Sequence, residues 1–174
     1  KGDTPPYFLS YRVTDMNSTV IVAADGALQT NGQYRNRILD ANLRVGDYDF
    51  DNSRLTQGLT TGTIELPIED DLDAIRSVIW IRMDEFYQQA VEQLRIAKQQ
   101  KATSVEDEFN AEDFSREKPQ KGKSELVNLE VDRVAWADRV RKISAVFKKY
   151  PLIYNSAVNL TADATNKYFV STEG

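Results

Sequence analysis

The sequence contains no cysteine and no histidine among its 174 residues, and the two absences remove most of the common catalytic chemistries. Without thiols there are no disulfides, no thiolate nucleophiles and no cysteine-based metal sites within these residues. That leaves the compartment open, since exported proteins also do without cysteine. Without imidazole there is no Ser-His-Asp triad, no histidine general base and no His-Glu-x-x-His zinc site. Carboxylates, Lys, Tyr, Ser and Thr remain. No run approaches the ~18 apolar residues of a membrane-crossing helix. An excess of positive charge is missing as well: 22 Lys and Arg stand against 27 Asp and Glu, a net charge of −5, whereas a grip on nucleic-acid phosphates needs a basic surface. The densest basic patch, Arg139-Val140-Arg141-Lys142 with Lys148-Lys149, falls in a helical pattern and reads as its wet face. No signal-peptide pattern opens the chain. Lys1-Gly2 is an unusual natural start, so an N-terminus trimmed by processing or by design is expected.

What is present is globular: 41% hydrophobic and 28% charged residues, long enough for one domain with a real core. Period-two patterning predicts a strand over Tyr7–Val13, a second from Ser18 to about Thr30 and a third over Arg37–Val45. Asp15-Met16-Asn17-Ser18 supplies the first turn and Asn31-Gly32 the second, with the positive φ a tight hairpin needs. Thr4-Pro5-Pro6 is a stiff entry. Asp47, Asp49 and Asp51 share a face if the third strand stays extended. Their spacing opens like a calcium loop, but Asn52 stands where that loop needs Gly and Gly58 where it needs Glu. The plainer expectation is a solvated strand edge whose charges discourage aggregation.

Leu55–Leu66 reads as a loop, or as a weak strand ending at Ile64-Glu65-Leu66. Asp70 or Asp71 then caps a long helix to about Lys101, with acids at its start. Leu72, Ile75, Ile79, Met83, Phe86, Ala90, Leu94 and Ala97 form its apolar stripe. Val78 and Ile81 widen the first half, which is therefore expected to be the more deeply buried. A helix of this length is roughly 45 Å long, so its stripe is expected to overhang the sheet. Thr103–Ser124 is poor in apolar residues and reads as a flexible linker pinned by Phe109 and Phe114, or as disorder. Asp132 caps a second helix reaching Tyr150, with Trp136, Val140, Ile143, Phe147 and Tyr150 on one side and Pro151 as its stop. Strands over Ile153–Ala162 and Lys167–Thr172 follow, joined by a hairpin at Asp163-Ala164-Thr165-Asn166. The expected fold is α+β: an antiparallel sheet of about five strands with two helices packed on one face, the first helix long. Residues 1–174 read as one domain that looks like the front part of something longer.

Five segments resemble the N-terminal part of the TldD/PmbA family. They are Pro5-Pro6-Tyr7-Phe8-Leu9-Ser10-Tyr11-Arg12-Val13, Leu43-Arg44-Val45-Gly46-Asp47-Tyr48, Asp70-Asp71-Leu72-Asp73-Ala74-Ile75-Arg76, Asp113-Phe114-Ser115-Arg116-Glu117 and Asn166-Lys167-Tyr168-Phe169-Val170-Ser171-Thr172-Glu173-Gly174. Members of that family carry the names of DNA-gyrase modulators and zinc-dependent proteases. The resemblance implies a metal site of His, Glu and Cys in a C-terminal part absent from this chain. With no histidine or cysteine here, no catalytic, cofactor-binding or metal residue carries over, and zinc is expected only in the full-length parent. The chain then shapes a cavity for an unfolded peptide. Its implied partners are the C-terminal metal-binding domain and a second subunit, in a homo- or hetero-dimer, with neither nucleic acid nor a membrane span involved. The dimer contacts are expected through the C-terminal strands and the overhanging helix. A stand-alone interaction module acting through the long helix is the alternative. A third reading is a carboxylate enzyme using Asp47 and Asp49, although neighbours two apart on a strand are more often plain surface.

Overall fold

The computed structural model describes residues 4–54, 61–103 and 112–173. The elements follow as β1 (Pro6–Ala24), β2 (Ala27–Val45), β3 (Thr61–Glu65), α1 (Leu72–Thr103), α2 (Arg133–Val146) and β4 (Ala157–Ser171), with a 3-10 turn at Phe147–Lys149 after α2. The fold is α+β, with an antiparallel sheet that has four strands among the described residues, ordered β3-β2-β1-β4.

Among the described residues four strands stand where five were expected, because three predicted turns do not turn. β1 runs straight through Asp15-Met16-Asn17-Ser18. The buried Asp15 carboxylate is gripped by Arg35 of β2 through Nε (3.0 Å) and Nη2 (2.8 Å), a fork that holds a turn-prone residue in the ladder. β2 likewise runs through Asn31-Gly32. The hairpin bends earlier, at Asp25-Gly26, where successive φ values of 49° and 75° mark a primed two-residue turn. β4 passes through Asp163–Asn166 with Ala164 buried, and the Asn166 side chain exchanges two hydrogen bonds with the backbone of Val127, both 2.9 Å. Thr61–Glu65, within the stretch read as a loop or a weak strand, forms β3, paired with β2 from Ile38↔Glu65 to Asn42↔Thr61.

The chain divides into two compact units: Lys1–Val13, Arg37–Lys123 and Lys167–Gly174 form the first, Thr14–Asn36 and Ser124–Asn166 the second. In the first, Asp71 caps α1 by accepting from the amides of Asp73 (2.9 Å) and Ala74 (3.1 Å). The approach to that cap is fixed by the buried Arg37, which donates to the Pro67 and Glu69 carbonyls and to Asp70 at 2.6 Å. Ile75, Val78, Ile79, Met83 and Phe86 pack on Leu39, Ala41, Ile64 and Leu66. Ala90 and Leu94 pack on Leu43 and Val45, with Leu9 and Phe50 closing the cluster. The second half of α1 is thus the deeper one, opposite to expectation. Ala90 and Ala97 are small enough for a close approach, whereas Ile81 joins Trp80 on the face turned outward, Trp80 being 81% exposed. The stripe is covered as far as Ala97, which is buried, and Lys98, Lys101 and Ala102 lie beside the Gly46–Phe50 turn beyond the end of β2. Gly62 lies within β3 because the Phe86 ring occupies the space a Cβ would need.

In the second unit Asp132 caps α2 by accepting from Val134 N (3.1 Å) and Ala135 N (3.0 Å). The α-helix ends at Val146, and the 3-10 turn carries the chain to Lys149. The buried face of α2 is Ala137, Val140 and Ser144, packed against Ile21 and Ala23 of β1 and Val158 and Leu160 of β4. This corrects the expected face, because Trp136 is 37% exposed and Ile143 more so. Close approach is the reason. Ser144 Oγ accepts from Gly26 N at 2.9 Å and donates to Arg141 O, and a Cβ at Gly26 would sit 3.0 Å from that of Ala145. Only small side chains fit there, so the large ones are rotated outward.

Of the segment Thr103–Ser124, residues 104–111, and Phe109 with them, lie outside the described residues. Residues 112–123 carry no helix or strand.

Two substitutions test the position of the hairpin. Gly26→Ala combines a positive φ with a tight contact and is expected to cost about 1–3 kcal/mol. Gly32→Ala meets the outer atoms of the exposed Tyr34 ring, which can rotate aside, and should cost less, both read from urea unfolding. Phe86→Ala is expected to cost about 3 kcal/mol, and Trp136→Ala clearly less because its ring is part-exposed.

Candidate functional site

The site begins where β2 ends. Gly46, at φ 120°, bridges to Asp51, and a Cβ there would be 2.5 Å from the Phe50 carbonyl oxygen. Asp47 Oδ1 accepts from the amides of Asp49 (3.0 Å) and Phe50 (2.8 Å), the geometry of an Asx turn. The three aspartates therefore do not share a strand face. Asp47 and Asp49 are exposed, while Asp51 turns inward and is fully buried. Its Oδ2 accepts from Arg44 Nη1 (2.6 Å) and from the Tyr7 hydroxyl (2.7 Å), and its Oδ1 accepts from Ser53 N (2.7 Å). Next to it, the fully buried Asn52 completes the end of β2. It accepts from Val45 N (2.8 Å), donates its own amide to Val45 O (3.2 Å), and reaches Gln93 of α1 with Nδ2 (3.2 Å).

Asp113 and Phe114 close this turn from outside. Asp113 accepts from Asp51 N and from Arg54 Nε, both at 2.9 Å, and the amides of Asp113 and Phe114 both donate to Tyr48 O. The Phe114 ring lies 4.6 Å from that of Phe8, and the Arg44 guanidinium stands 4.1 Å over it. Arg44 Nε, buried without a hydrogen-bond partner among the described residues, lies beside an aromatic quadrupole. Tyr7 and Tyr48 pack with centroids 4.9 Å apart. Arg116 covers Tyr48, whose hydroxyl donates to Glu173 at 2.6 Å. Thr172 then pairs with Leu9 through Thr172 N to Leu9 O (2.9 Å) and Leu9 N to Thr172 Oγ1 (3.2 Å).

Four of the segments singled out in the sequence thus meet at one place, through Tyr7 and Phe8, Arg44 and Tyr48, Asp113 to Arg116, and Thr172 and Glu173. Asp51, expected on a solvated strand edge, binds them together with Asn52, Ser53 and Arg54, a role not expected of any of the four. The available signal was the Asp-Asn-Ser run, whose short polar side chains bond nearby backbone. Burial raises the Asp51 pKa, but the hydrogen bonds from Ser53, Tyr7 and Arg44 overcome it and hold the carboxyl below its ordinary value. The Tyr7 phenol is pushed well up, first by burial and then by donating to Asp51. Tyr48 is raised chiefly by its bond to Glu173.

Among the described residues no group of three or more His, Cys, Asp or Glu is placed to hold a metal ion. Asp51 and Asp113, the most enclosed carboxylates of the cluster, already accept from guanidinium, hydroxyl and amide donors. Asp47 lines a cleft of about 420 Å³ with Gly46, Phe50, Lys98, Lys101 and Ala102. Elsewhere in this unit Tyr168, Phe169 and Val170 are exposed on β4, an edge strand. Trp80 and Ile81 line a shallow groove with Arg76 and Ser77.

The buried pair makes stability depend on pH. Because the folded pKa of Asp51 is depressed, its contribution is complete above the ordinary carboxylate range and is lost as pH falls through the folded value. Asp51→Asn leaves the Arg44 charge uncompensated and is expected to cost about 3 kcal/mol at neutral pH. The gap between the wild type and Asp51→Asn should narrow between about pH 5 and pH 2 in urea unfolding. A gap that stays constant with pH would show that the Asp51 charge contributes nothing.

No family model and no curated protein matches the chain. Among solved structures similar to it is TldE from Thermococcus kodakarensis, with a TM-score of 0.48 and 10% identity over 97% of this chain and 32% of that one. Another is a Thermotoga maritima MSB8 protein named as a candidate modulator of a DNA gyrase, with a TM-score of 0.45 and 13% identity over 96% of this chain and 32% of that one. The chain spans about a third of the length of either structure.

Proposed function

We propose that the chain is the N-terminal, non-catalytic part of a TldD/PmbA-type protein, shaping one wall of a cavity for unfolded peptide and contributing to a dimer interface. The observation that carries this reading is the convergence of four of the five resembling segments on the Tyr7–Arg44–Asp51–Phe114 cluster. Segments so far apart in the chain have a common reason to resemble the family if they build one rigid support. The support is rigid because its charges are paired and its rings are interlocked. It anchors the Gly46–Phe50 turn and the end of β4.

The residues present do not fit a zinc ion, for the chain has no imidazole or thiolate and the enclosed carboxylates of the cluster already serve as acceptors. Zinc and peptide hydrolysis belong, on this reading, to the C-terminal part of the parent. This chain would contribute backbone. β4 is an edge strand, and such an edge accepts an extended peptide or a neighbouring subunit by strand addition. Tyr168, Phe169 and Val170 supply the apolar contacts beside it. The second reading, an interaction module acting through α1, draws on the outward-facing Trp80 and Ile81.

The reading frame beyond Gly174 tests the choice. A His-Glu-x-x-x-His stretch there supports the first reading, and a stop codon directly after Gly174 ends it. If the motif is present, peptide cleavage should require both parts, and Tyr168→Ser with Phe169→Ser should shift the mass from light scattering toward the monomer. Should Trp80→Ala be the change that abolishes association, the second reading stands instead.

A further inference from the structure

The second unit carries a surface that the proposed function does not use. Because α2 turns Ala137, Val140 and Ser144 to the sheet, a neighbouring stripe of Trp136, Ile143, Val146 and Tyr150 is left outside. In the sequence just beyond it, Leu152 is 84% and Tyr154 94% exposed. In the sequence these side chains alternate with cations. Arg133, Arg139, Arg141, Lys142, Lys148 and Lys149 face a single acid, Asp138, within residues 133–154, in a chain whose net charge is −5. Among the described residues Lys142 is the one of the six in an ion pair, with Asp138 at 2.6 Å. Arg139 lies over the Trp136 ring at 4.8 Å, and the exposed Lys148 and Lys149 sit directly before Tyr150.

We propose that this surface docks on an anionic lipid bilayer, with Trp136, Tyr150, Leu152 and Tyr154 entering the headgroup region and Arg139, Lys148 and Lys149 meeting the phosphates. Charge selects the partner, since local cations on an otherwise acidic chain are attracted to a negative surface and the rest of the chain is repelled by it. The side-chain types agree: Trp and Tyr place a ring in apolar surroundings and a polar tip in water, and Lys stems reach outward to phosphate. An amphipathic helix with an apolar stripe beside Lys and Arg lies in the plane of such an interface without crossing it. The near-complete exposure of Leu152 and Tyr154 suits insertion into a fluid surface.

Sedimentation of the 174-residue chain with phosphatidylcholine vesicles, with and without phosphatidylglycerol, tests the proposal. Trp136 serves as the reporter in a Trp80→Phe background. The chain is expected to sediment with the anionic vesicles, to bind neutral ones about tenfold or more weakly, and to shift Trp136 emission to the blue on binding. Lys148→Glu with Lys149→Glu should reverse the preference. Leu152→Ser with Tyr154→Ser should weaken binding about tenfold, and an unchanged Tm will show that the fold is intact. No sedimentation, equal binding to neutral and anionic vesicles, or an unmoved Trp136 spectrum overturns the proposal. Equal or tighter binding to poly-L-glutamate would also overturn it, by assigning the surface to an acidic polypeptide.

Discussion

Arg44 and Asp51 form a buried ion pair at 2.6 Å, and the first unit depends on how completely that pair is satisfied. Two charges removed from water are a liability unless other groups complete their hydrogen bonding. Here Tyr7 and Ser53 complete the carboxylate and Phe114 faces the guanidinium. Each of those partners is itself tied to another segment. Satisfying one ion pair therefore forces β1, the end of β2, the 46–54 turn and the 112–116 stretch into a single arrangement. Removing one partner of such a pair strands the other charge, whereas replacing both by apolar groups of the same shape can leave stability unchanged.

The same unit is covered by two different means. α1 covers β2 and β3 with an apolar stripe that narrows from Phe86 to Ala90, Leu94 and Ala97, so its later turns lie deepest. The stretch around Phe114 covers Phe8, Tyr7 and Tyr48 with one ring and a set of backbone and side-chain hydrogen bonds. Asp113 and Phe114, in a stretch poor in apolar residues, are held in place because the partners there are already fixed. One aromatic anchor and two backbone donors to Tyr48 O offset the entropy of holding a short stretch.

In the second unit, close approach decides the arrangement. The Gly26 turn meets Ala145 and Ser144 with no room for a larger side chain. The helix face rich in Trp and Ile cannot take that place and is rotated outward. An apolar stripe that is read as core thus becomes surface, and the surface acquires a chemistry of its own from the lysines and arginines beside it.

The amino-acid sequence by itself determined the elements whose signals are local. Asp71 and Asp132 mark the starts of both helices, since a short acidic side chain satisfies free amides wherever a helix begins. Alternation over Tyr7–Val13 and Arg37–Val45 marks strands because a pleated chain alternates its faces whatever its neighbours are. Strand length was not legible. Asp15, Asn31-Gly32 and Asp163–Asn166 are turn chemistry taken alone, and tertiary partners keep them extended: a cross-strand Arg35, a primed turn at Asp25-Gly26, a buried Ala164 and the Asn166–Val127 bonds. The site was half legible: its segments could be read as stretches, but Asp51 is an ordinary surface acid until Arg44 and Tyr7 are brought to it. Which face of a helix is buried, and which aspartate in an Asp-x-Asp-x-Asp run turns inward, are set by groups distant in the chain. Tertiary structure decided those, because burial is a property of what surrounds a side chain and not of the side chain itself.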